Sequence, residues 1–216
     1  MRKVPFVENE IYHIFNRGVD KREIFSCNYD YMRILKSLDE FNQIDPVYSL
    51  YLNDLRRKKN HLDVQRLKEV RKLIEIIAYC LNPNHFHLIL RQLEPNGISE
   101  FMKRIGGGYT KYYNSKYDRS GFLFQGRFKS THIDSNELLL YLSVYVNANY
   151  QIHGYSKKDW PYSSFLDYVG KRNNKLCNKE IILGQFDNDS KQYEKYLNNN
   201  LEYFREKKEM EKYILE

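Results

Sequence analysis

Two histidines stand two residues apart in an apolar run, Leu81-Asn82-Pro83-Asn84-His85-Phe86-His87-Leu88-Ile89-Leu90. Because successive side chains of a β-strand point to opposite faces, His85 and His87 would project together while Phe86 and Leu88 point the other way. Two imidazoles on a rigid strand supply half of a divalent-metal site. The sequence therefore predicts a metal centre that needs at least one further ligand.

The further ligand would be an oxygen donor if the ion is hard. Tyr145 and Asn149 lie four residues apart in a strongly apolar predicted helix, so they share one helical face. Tyr196 and Asn200 have the same spacing, but they lie in a polar terminal helix whose neighbours we expect to be solvated. Tyr145 with Asn149 is the preferred pair.

A tyrosine beside a metal ion indicates phosphoryl transfer. A phenol with an ordinary pKa of about 10 is a poor nucleophile at neutral pH. Mg²⁺ or Mn²⁺ would favour the phenolate and, above all, polarise the scissile phosphate and orient it for in-line attack. The products would be a 5′-phosphotyrosine linkage and a free 3′-hydroxyl, so strand rejoining would need no ATP.

The elements that must position these residues follow from the apolar patterning. Strands are predicted at 11–15, 47–52, 73–80, 85–91 and 128–133. Helices are predicted after Asp30 as a cap, from Ile98, and after Asp134 or Ser135 as a cap. We expect the triple glycine 106–108 to weaken or kink the second helix. This order predicts an α+β fold with a mostly antiparallel sheet, of ferredoxin-like or RNA-recognition-motif (RRM-like) type.

The chain divides by pattern into a catalytic domain at 1–155 and a C-terminal extension at 156–216. The catalytic domain carries a polar, basic insertion at 54–72. The extension is rich in loops and ends in an amphipathic helix with apolar residues at Tyr193, Leu197, Leu201 and Phe204.

The composition indicates an anionic partner, because the formal net charge is +7 and the pI is about 9.1. The three cysteines lie far apart without a CxxC pair, which argues against a zinc knuckle or a disulfide framework. There is no apolar signal core and no apolar run of membrane length. We therefore expect a cytoplasmic protein with no membrane partner.

These motifs together resemble those of the HUH single-tyrosine transposases, and among them the REP-associated tyrosine transposases. The resemblance runs from about Tyr12 to Tyr168 and is carried by the following segments: Asn16-Arg17-Gly18, Ala78-Tyr79-Cys80-Leu81, Pro83-Asn84-His85-Phe86-His87, Phe101-Met102-Lys103-Arg104, Arg119-Ser120-Gly121, Leu123-Phe124-Gln125-Gly126-Arg127-Phe128-Lys129, Tyr145 and Trp160-Pro161-Tyr162-Ser163-Ser164.

The resemblance implies a ferredoxin-like catalytic domain that cleaves and rejoins single-stranded DNA at hairpin-bearing ends. It implies His85 and His87 as metal ligands, Asn149 as the third ligand, Tyr145 as the nucleophile, and Mg²⁺ or Mn²⁺ as the ion. Two positions depart from the family pattern. Tyr150 stands where members often have Pro, and Asn82 stands where they often have Met.

Residues 101–130 hold seven Lys or Arg and eight aromatic residues against one acid, Asp118. Basic side chains neutralise phosphates, and aromatic faces stack on unpaired bases. The sequence predicts these phosphate contacts: Lys103, Arg104, Lys111, Arg127 and Lys129, with Arg17 and Lys21 as weaker candidates. The insertion at 54–72 would grip a hairpin stem.

Three alternatives stay open at this point. The chain could be a non-catalytic single-stranded nucleic-acid-binding module, or a replication-initiator nickase, although it has no room for a helicase domain. A homodimer is also open, since Tyr145 could complete the site of its own subunit or of a partner. The remaining histidines are expected to be ordinary surface or packing residues: His13, His61, His132 and His153.

Overall fold

The structure is a computed structural model that describes residues 5–45, 71–156 and 159–214. Four strands form one sheet in the order β2-β3-β1-β4, and each neighbouring pair is antiparallel. The strands are β1 (Ile11–Arg17), β2 (Ile74–Asn82), β3 (His85–Gln92) and β4 (Lys129–Ile133). Helix α1 (Asn28–Glu40) follows β1, and α2 (Gly97–Lys116) connects β3 to β4. The predicted α+β fold with an antiparallel sheet is confirmed.

The histidines lie on a tight hairpin. Asn82 of β2 pairs with His85 of β3, so only Pro83 and Asn84 form the turn. The carbonyl of Pro83 accepts hydrogen bonds from the backbone N–H groups of Ile24 and Phe25, at 2.7 and 3.0 Å. The turn is thus held from outside, and His85 stands at a fixed position where β3 begins.

The sheet is covered on both faces. Phe86, Leu88 and Leu90 pack with α1 and α2, whereas Ile89 packs with the later helices. Those helices are α3 (Asn136–Asn147), α4 (Asn149–Ile152), α5 (Phe165–Tyr168), α6 (Glu180–Leu183) and α7 (Ser190–Ile214). Strand alternation therefore turns His85 and His87 toward the α3–α7 face.

The predicted kink at the triple glycine is wrong, because α2 is one continuous helix from Gly97 to Lys116. A Cβ at Gly108 would meet the Phe41 ring at 2.9 Å, so glycine there permits close packing after α1. Gly106 and Gly107 face open space. Packing along the whole helix offsets the cost of about 1 kcal/mol for each interior glycine.

The predicted cap of α1 is displaced. The helix is capped by Cys27, and Asp30 is its third residue, with its carboxylate accepting from the backbone N–H groups of Ser26 and Cys27. A carboxylate at this position serves the helix start as one half of a capping box. Ser135 caps α3 as expected, accepting from the Leu138 N–H at 3.2 Å.

The predicted strand at 47–52 and all but the last two residues of the insertion at 54–72 lie outside the described residues. The predicted terminal helix is confirmed as α7, whose residues Tyr193, Leu197, Leu201 and Phe204 are buried against the second face. The division into 1–155 and 156–216 stays a prediction. None of the helices in the described ranges has the length and apolarity needed to cross a bilayer.

Candidate active site

His87 is buried on β3, and its Nδ1 lies 2.8 Å from Nε2 of His13 on the neighbouring strand β1. The two rings are nearly parallel, with centroids 5.1 Å apart. A hydrogen bond at one ring nitrogen fixes the tautomer and the direction of the other. For His87 to bind an ion through Nε2, its Nδ1 must donate this hydrogen bond to Nε2 of His13.

His85 is oriented by Asn84. Its Nδ1 lies 2.6 Å from the Asn84 side-chain oxygen, which can only accept. Nδ1 therefore carries the proton and Nε2 carries a lone pair. The hydroxyl of Tyr155 donates to the same Asn84 oxygen at 2.9 Å, which holds the amide in this orientation.

Asn149 is fully buried at the start of α4, and its Oδ1 lies 3.1 Å from Nε2 of His85. Its Nδ2 is buried and has no hydrogen-bond partner among the described residues. The structure thus brings two of the three predicted ligand atoms together, and the donor set of imidazole nitrogen and amide oxygen fits Mg²⁺ or Mn²⁺. Among the described residues, His, Cys, Asp and Glu alone form no group of three that could hold a metal ion, so Asn149 is needed to complete the set.

Tyr145 lies on α3, on the histidine side of the sheet. Its half-buried ring is edge-on to His87 with centroids 5.3 Å apart, and its centroid is 6.1 Å from that of His13. Phe204 of α7 contacts the same ring at 5.4 Å. The predicted nucleophile and the predicted ligands therefore lie at one place in one chain.

The helix carrying Tyr145 and Asn149 is interrupted between them, at Ala148. The hydroxyl of Ser163 donates to the Asn147 carbonyl at 2.9 Å, and the Gln151 N–H bonds to Ala148 instead. Ser164 bonds the Asn147 side chain at 2.5 Å and the backbone of β2. The Ser163-Ser164 motif thus ties the helix junction to the histidine hairpin.

Burial keeps the histidines of the site neutral. It lowers the pKa of His85 and of His13 to about 4, and the pKa of His153 to about 3. Burial also holds the pKa of His87 well below its usual range, with His13 adding to the effect. At neutral pH these rings are uncharged, so their lone pairs are available to a cation.

His13 and His153, expected to be ordinary surface or packing residues, both lie beside the predicted ligands. His13 bonds His87, and the ring of His153 lies 4.6 Å from that of His85. A histidine at an inward position of an apolar strand was the available signal for His13, whereas His153 had none. His132 behaves as expected, exposed and 2.7 Å from Glu10, and His61 lies outside the described residues.

A cavity of about 470 Å³, here named the histidine cavity, opens over these groups. Three of the predicted phosphate contacts, Arg17, Lys21 and Lys129, lie on its wall. Its complete lining is Phe15, Asn16, Arg17, Lys21, Asn84, His85, His87, Gln125, Lys129, Tyr145, His153 and Tyr155.

A second cavity of about 480 Å³, here named the phenylalanine cavity, lies beside α2. The exposed cations Lys103, Lys111 and Arg127 line it, and so does Phe122, whose side chain is 87% exposed. Four of its residues and two of the histidine cavity also line a third depression. One basic surface therefore joins the two cavities.

Arg104 is not part of that surface. Its half-buried guanidinium bonds Glu100 and donates to the carbonyls that follow α1, the shortest of them that of Gln43 at 2.6 Å. Its N–H groups are directed to these carbonyls, so Arg104 ties the segment after α1 to α2, and its phosphate contact stays a prediction.

The comparisons with known proteins agree with this geometry. Residues 51–149 match the family model described as transposase, IS200-like, and this range holds His85, His87, Tyr145 and Asn149. The resemblance to the HUH single-tyrosine transposases is confirmed. His13 lies outside the matched range of this transposase-like chain.

A solved structure of a REP-associated tyrosine transposase bound to a REP hairpin has a similar fold. The TM-score is 0.52, and the match covers 82% of this chain and 96% of that one. At 15% identity this likeness shows the fold alone. No curated protein matches the chain. Together, the family model and the shared fold support a transposase role.

Proposed function

We propose that this chain cleaves and rejoins single-stranded DNA through a 5′-phosphotyrosine at Tyr145. The observation that carries the proposal is the arrangement of Tyr145 edge-on to His87, on the same face as the contact between His85 and Asn149. Because the ring lies 5.3 Å from His87 of the same chain, we place the nucleophile in its own subunit's site. A homodimer and a cytoplasmic location stay predictions.

In the proposed reaction the phenol oxygen of Tyr145 attacks the phosphorus of a DNA linkage. The bond from phosphorus to the 3′ oxygen breaks, the phenolic proton passes to solvent, and the 3′ oxygen takes up a proton. In rejoining, the oxygen of a 3′-hydroxyl attacks the phosphorus of the phosphotyrosine and loses its proton to solvent, the bond from phosphorus to the phenol oxygen breaks, and Tyr145 takes up a proton. A bound Mg²⁺ or Mn²⁺ would withdraw charge from the phosphate oxygens.

The chain's own residues prepare this step. His85, His87 and Asn149 would hold the ion, and His13 and Asn84 orient the two imidazoles. Phe204 packs against Tyr145 and limits the positions of its ring. Such restraint holds the nucleophile and the phosphate in a reactive geometry before the bond forms.

We propose that the DNA strand runs along the basic surface from the histidine cavity to the phenylalanine cavity. Arg17, Lys21 and Lys129 would bind phosphates near the scissile linkage. Lys103, Lys111 and Arg127 would bind phosphates farther along the strand, where exposed Phe122 offers a face for an unpaired base.

The deciding experiment incubates the full chain with a labelled single-stranded hairpin oligonucleotide and Mg²⁺ or Mn²⁺. We expect a covalent protein–DNA adduct that resists denaturation and that disappears in Tyr145→Phe. Tyr196→Phe is the matched control, because Tyr196 has the same spacing to an asparagine but lies on α7. The control should form the adduct at the normal rate.

Persistence of the adduct in Tyr145→Phe would contradict the nucleophile. An oligonucleotide that is bound tightly yet stays intact in the wild-type chain, with either ion, would favour the non-catalytic nucleic-acid-binding module.

A further inference from the structure

The side chain of Asn82 bridges two of the proposed metal ligands. Asn82 is the last residue of β2, is fully buried, and pairs directly with His85. Its Nδ2 lies 2.6 Å from Oδ1 of Asn149 and 2.9 Å from Nε2 of His85. The sequence marked this position only as a departure from a family pattern.

The three atoms have the spacing of neighbouring ligands around one ion. With the 3.1 Å between His85 and Asn149, they form a triangle with sides of 2.6, 2.9 and 3.1 Å. Adjacent ligands of an octahedral ion bound at about 2.1 Å lie about 3 Å apart. Asn82 therefore stands where a further ligand atom of the same ion would stand.

The amide also explains how the ligand atoms stay together without an ion. Nε2 of His85 and Oδ1 of Asn149 are both acceptors, so they need a positive group between them at 3.1 Å. The two N–H bonds of the Asn82 amide supply it. The bridging amide thus keeps the ligand positions of His85 and Asn149 arranged in advance.

The opposite end of the Asn82 amide is weakly held. Among the described residues its Oδ1 accepts only from the thiol of Cys80, at 3.6 Å, and a thiol is a weak donor. A half-turn of the carboxamide would exchange its oxygen and nitrogen, so that Nδ2 faces the sulfur, which is a weak acceptor. This rotation would place the hard Oδ1 of Asn82 beside Nε2 of His85 and Oδ1 of Asn149.

We propose that Asn82 is a fourth protein ligand of the metal ion, binding through Oδ1 after this half-turn. Together with Oδ1 of Asn149, this gives the site two amide oxygens, which set its preference for hard, oxygen-seeking ions over soft ones. This inference rests on the proposed function, because it takes His85, His87 and Asn149 as the other ligands.

The test measures Mn²⁺ binding to the full chain without DNA, by electron paramagnetic resonance, so its readout does not depend on cleavage. In Asn82→Met we expect Mn²⁺ to bind about tenfold more weakly while Cd²⁺, a soft ion, binds as well or better. In Asn82→Asp, which keeps an oxygen but loses the amide N–H groups, Mn²⁺ should bind at least as tightly as in the wild type. Thermal unfolding and hairpin binding in EDTA show whether each variant is folded.

Two results would overturn the inference: wild-type Mn²⁺ affinity in Asn82→Met, or Mn²⁺ binding in Asn82→Asp that is about tenfold weaker than in the wild type. The aspartate variant decides the question if the methionine variant does not fold. His85→Ala separates this inference from the proposed function. If His85→Ala keeps full Mn²⁺ affinity, the proposed metal site itself is wrong. If His85→Ala loses Mn²⁺ affinity while Asn82→Met keeps it, only the role of Asn82 is wrong.

Discussion

The two faces of strand β3 differ in what they bury. Toward α1 and α2 the strand presents Phe86, Leu88 and Leu90, which join one apolar cluster. Toward α3–α7 it presents His85 and His87 before it reaches apolar Ile89. One strand thus places a core and a polar site back to back, so the packing of the first face fixes the position of the second.

The second face buries polar side chains, and these need hydrogen-bond partners there. Asn82, Asn147, Asn149, Ser163 and Ser164 are all fully buried there. A buried polar group without a partner costs about 1–3 kcal/mol, so each of these side chains is restricted to the few orientations that satisfy its hydrogen bonds. The apolar face tolerates small shifts better than this network does.

Substitution of two neighbouring residues of β3, one on each face, gives the sharpest test of the difference between the faces. His87→Ala should abolish adduct formation and hairpin cleavage, because it removes an ion ligand, while it leaves hairpin affinity largely unchanged. Cleavage of labelled hairpin DNA and its binding in EDTA measure the two effects.

Leu88→Ala is the matched control, one residue along and on the opposite face. It should lower the free energy of unfolding by about 3 kcal/mol, because Leu88 is buried in the apolar cluster, and yet leave cleavage per folded molecule unchanged. Normal cleavage in His87→Ala would remove the metal site from this face.

The sequence predicted this division wherever it depends on local pattern. Alternation along 85–90 was enough to separate His85 and His87 from the core, and the four-residue spacing was enough to select Tyr145 and Asn149, which lie beside His87 and His85. The break at Ala148 was not predictable in that way, because it depends on Ser163, which comes from a later segment and takes the Asn147 carbonyl.

Contacts between distant strands were likewise missed. His13 meets His87 because β1 pairs with β3 in a register that no local pattern states. The straight course of α2 through three glycines depends on packing along the whole helix, including the contact of Gly108 with Phe41. The sequence showed that Asn82 departs from the family pattern, but its contacts with His85 and Asn149 could be seen only in the folded hairpin.

Acid should lower the free energy of unfolding through the buried histidines of the second face, since among the described residues the apolar face has no such groups to protonate. The pKa of His13 is about 4 in the folded chain because the ring is buried, whereas an unfolded chain has the ordinary value of about 6.5. As the pH falls from 6.5 toward 4, only the unfolded chain takes up the proton. Stability is therefore complete above pH 6.5 and is lost below it, by up to about 1.4 kcal/mol per pH unit for each such histidine.

Urea unfolding at pH 7.5 and pH 5 measures this loss. The loss should be smaller in His13→Gln than in the wild type, because one buried imidazole is gone. Leu88→Ala is the control, because it changes the apolar face and removes no titratable group, and it should keep the wild-type loss between the two pH values. An unchanged loss in His13→Gln would show that His13 does not contribute to the acid sensitivity.

The smallest effect is expected at Lys111, on the part of the basic surface that lies beside α2. Lys111→Ala should weaken binding of hairpin DNA uniformly across sequences and reduce the slope of log affinity against log salt by about 1, because one phosphate contact is lost. Lys191→Ala, an exposed lysine at the start of α7, should leave the slope unchanged. Equal slopes for the two variants would show that charge acts through the whole molecule and that the phenylalanine cavity is not on the DNA path. A lower slope in Lys111→Ala alone, with cleavage chemistry intact, would place that cavity on the path while keeping it separate from the histidine site.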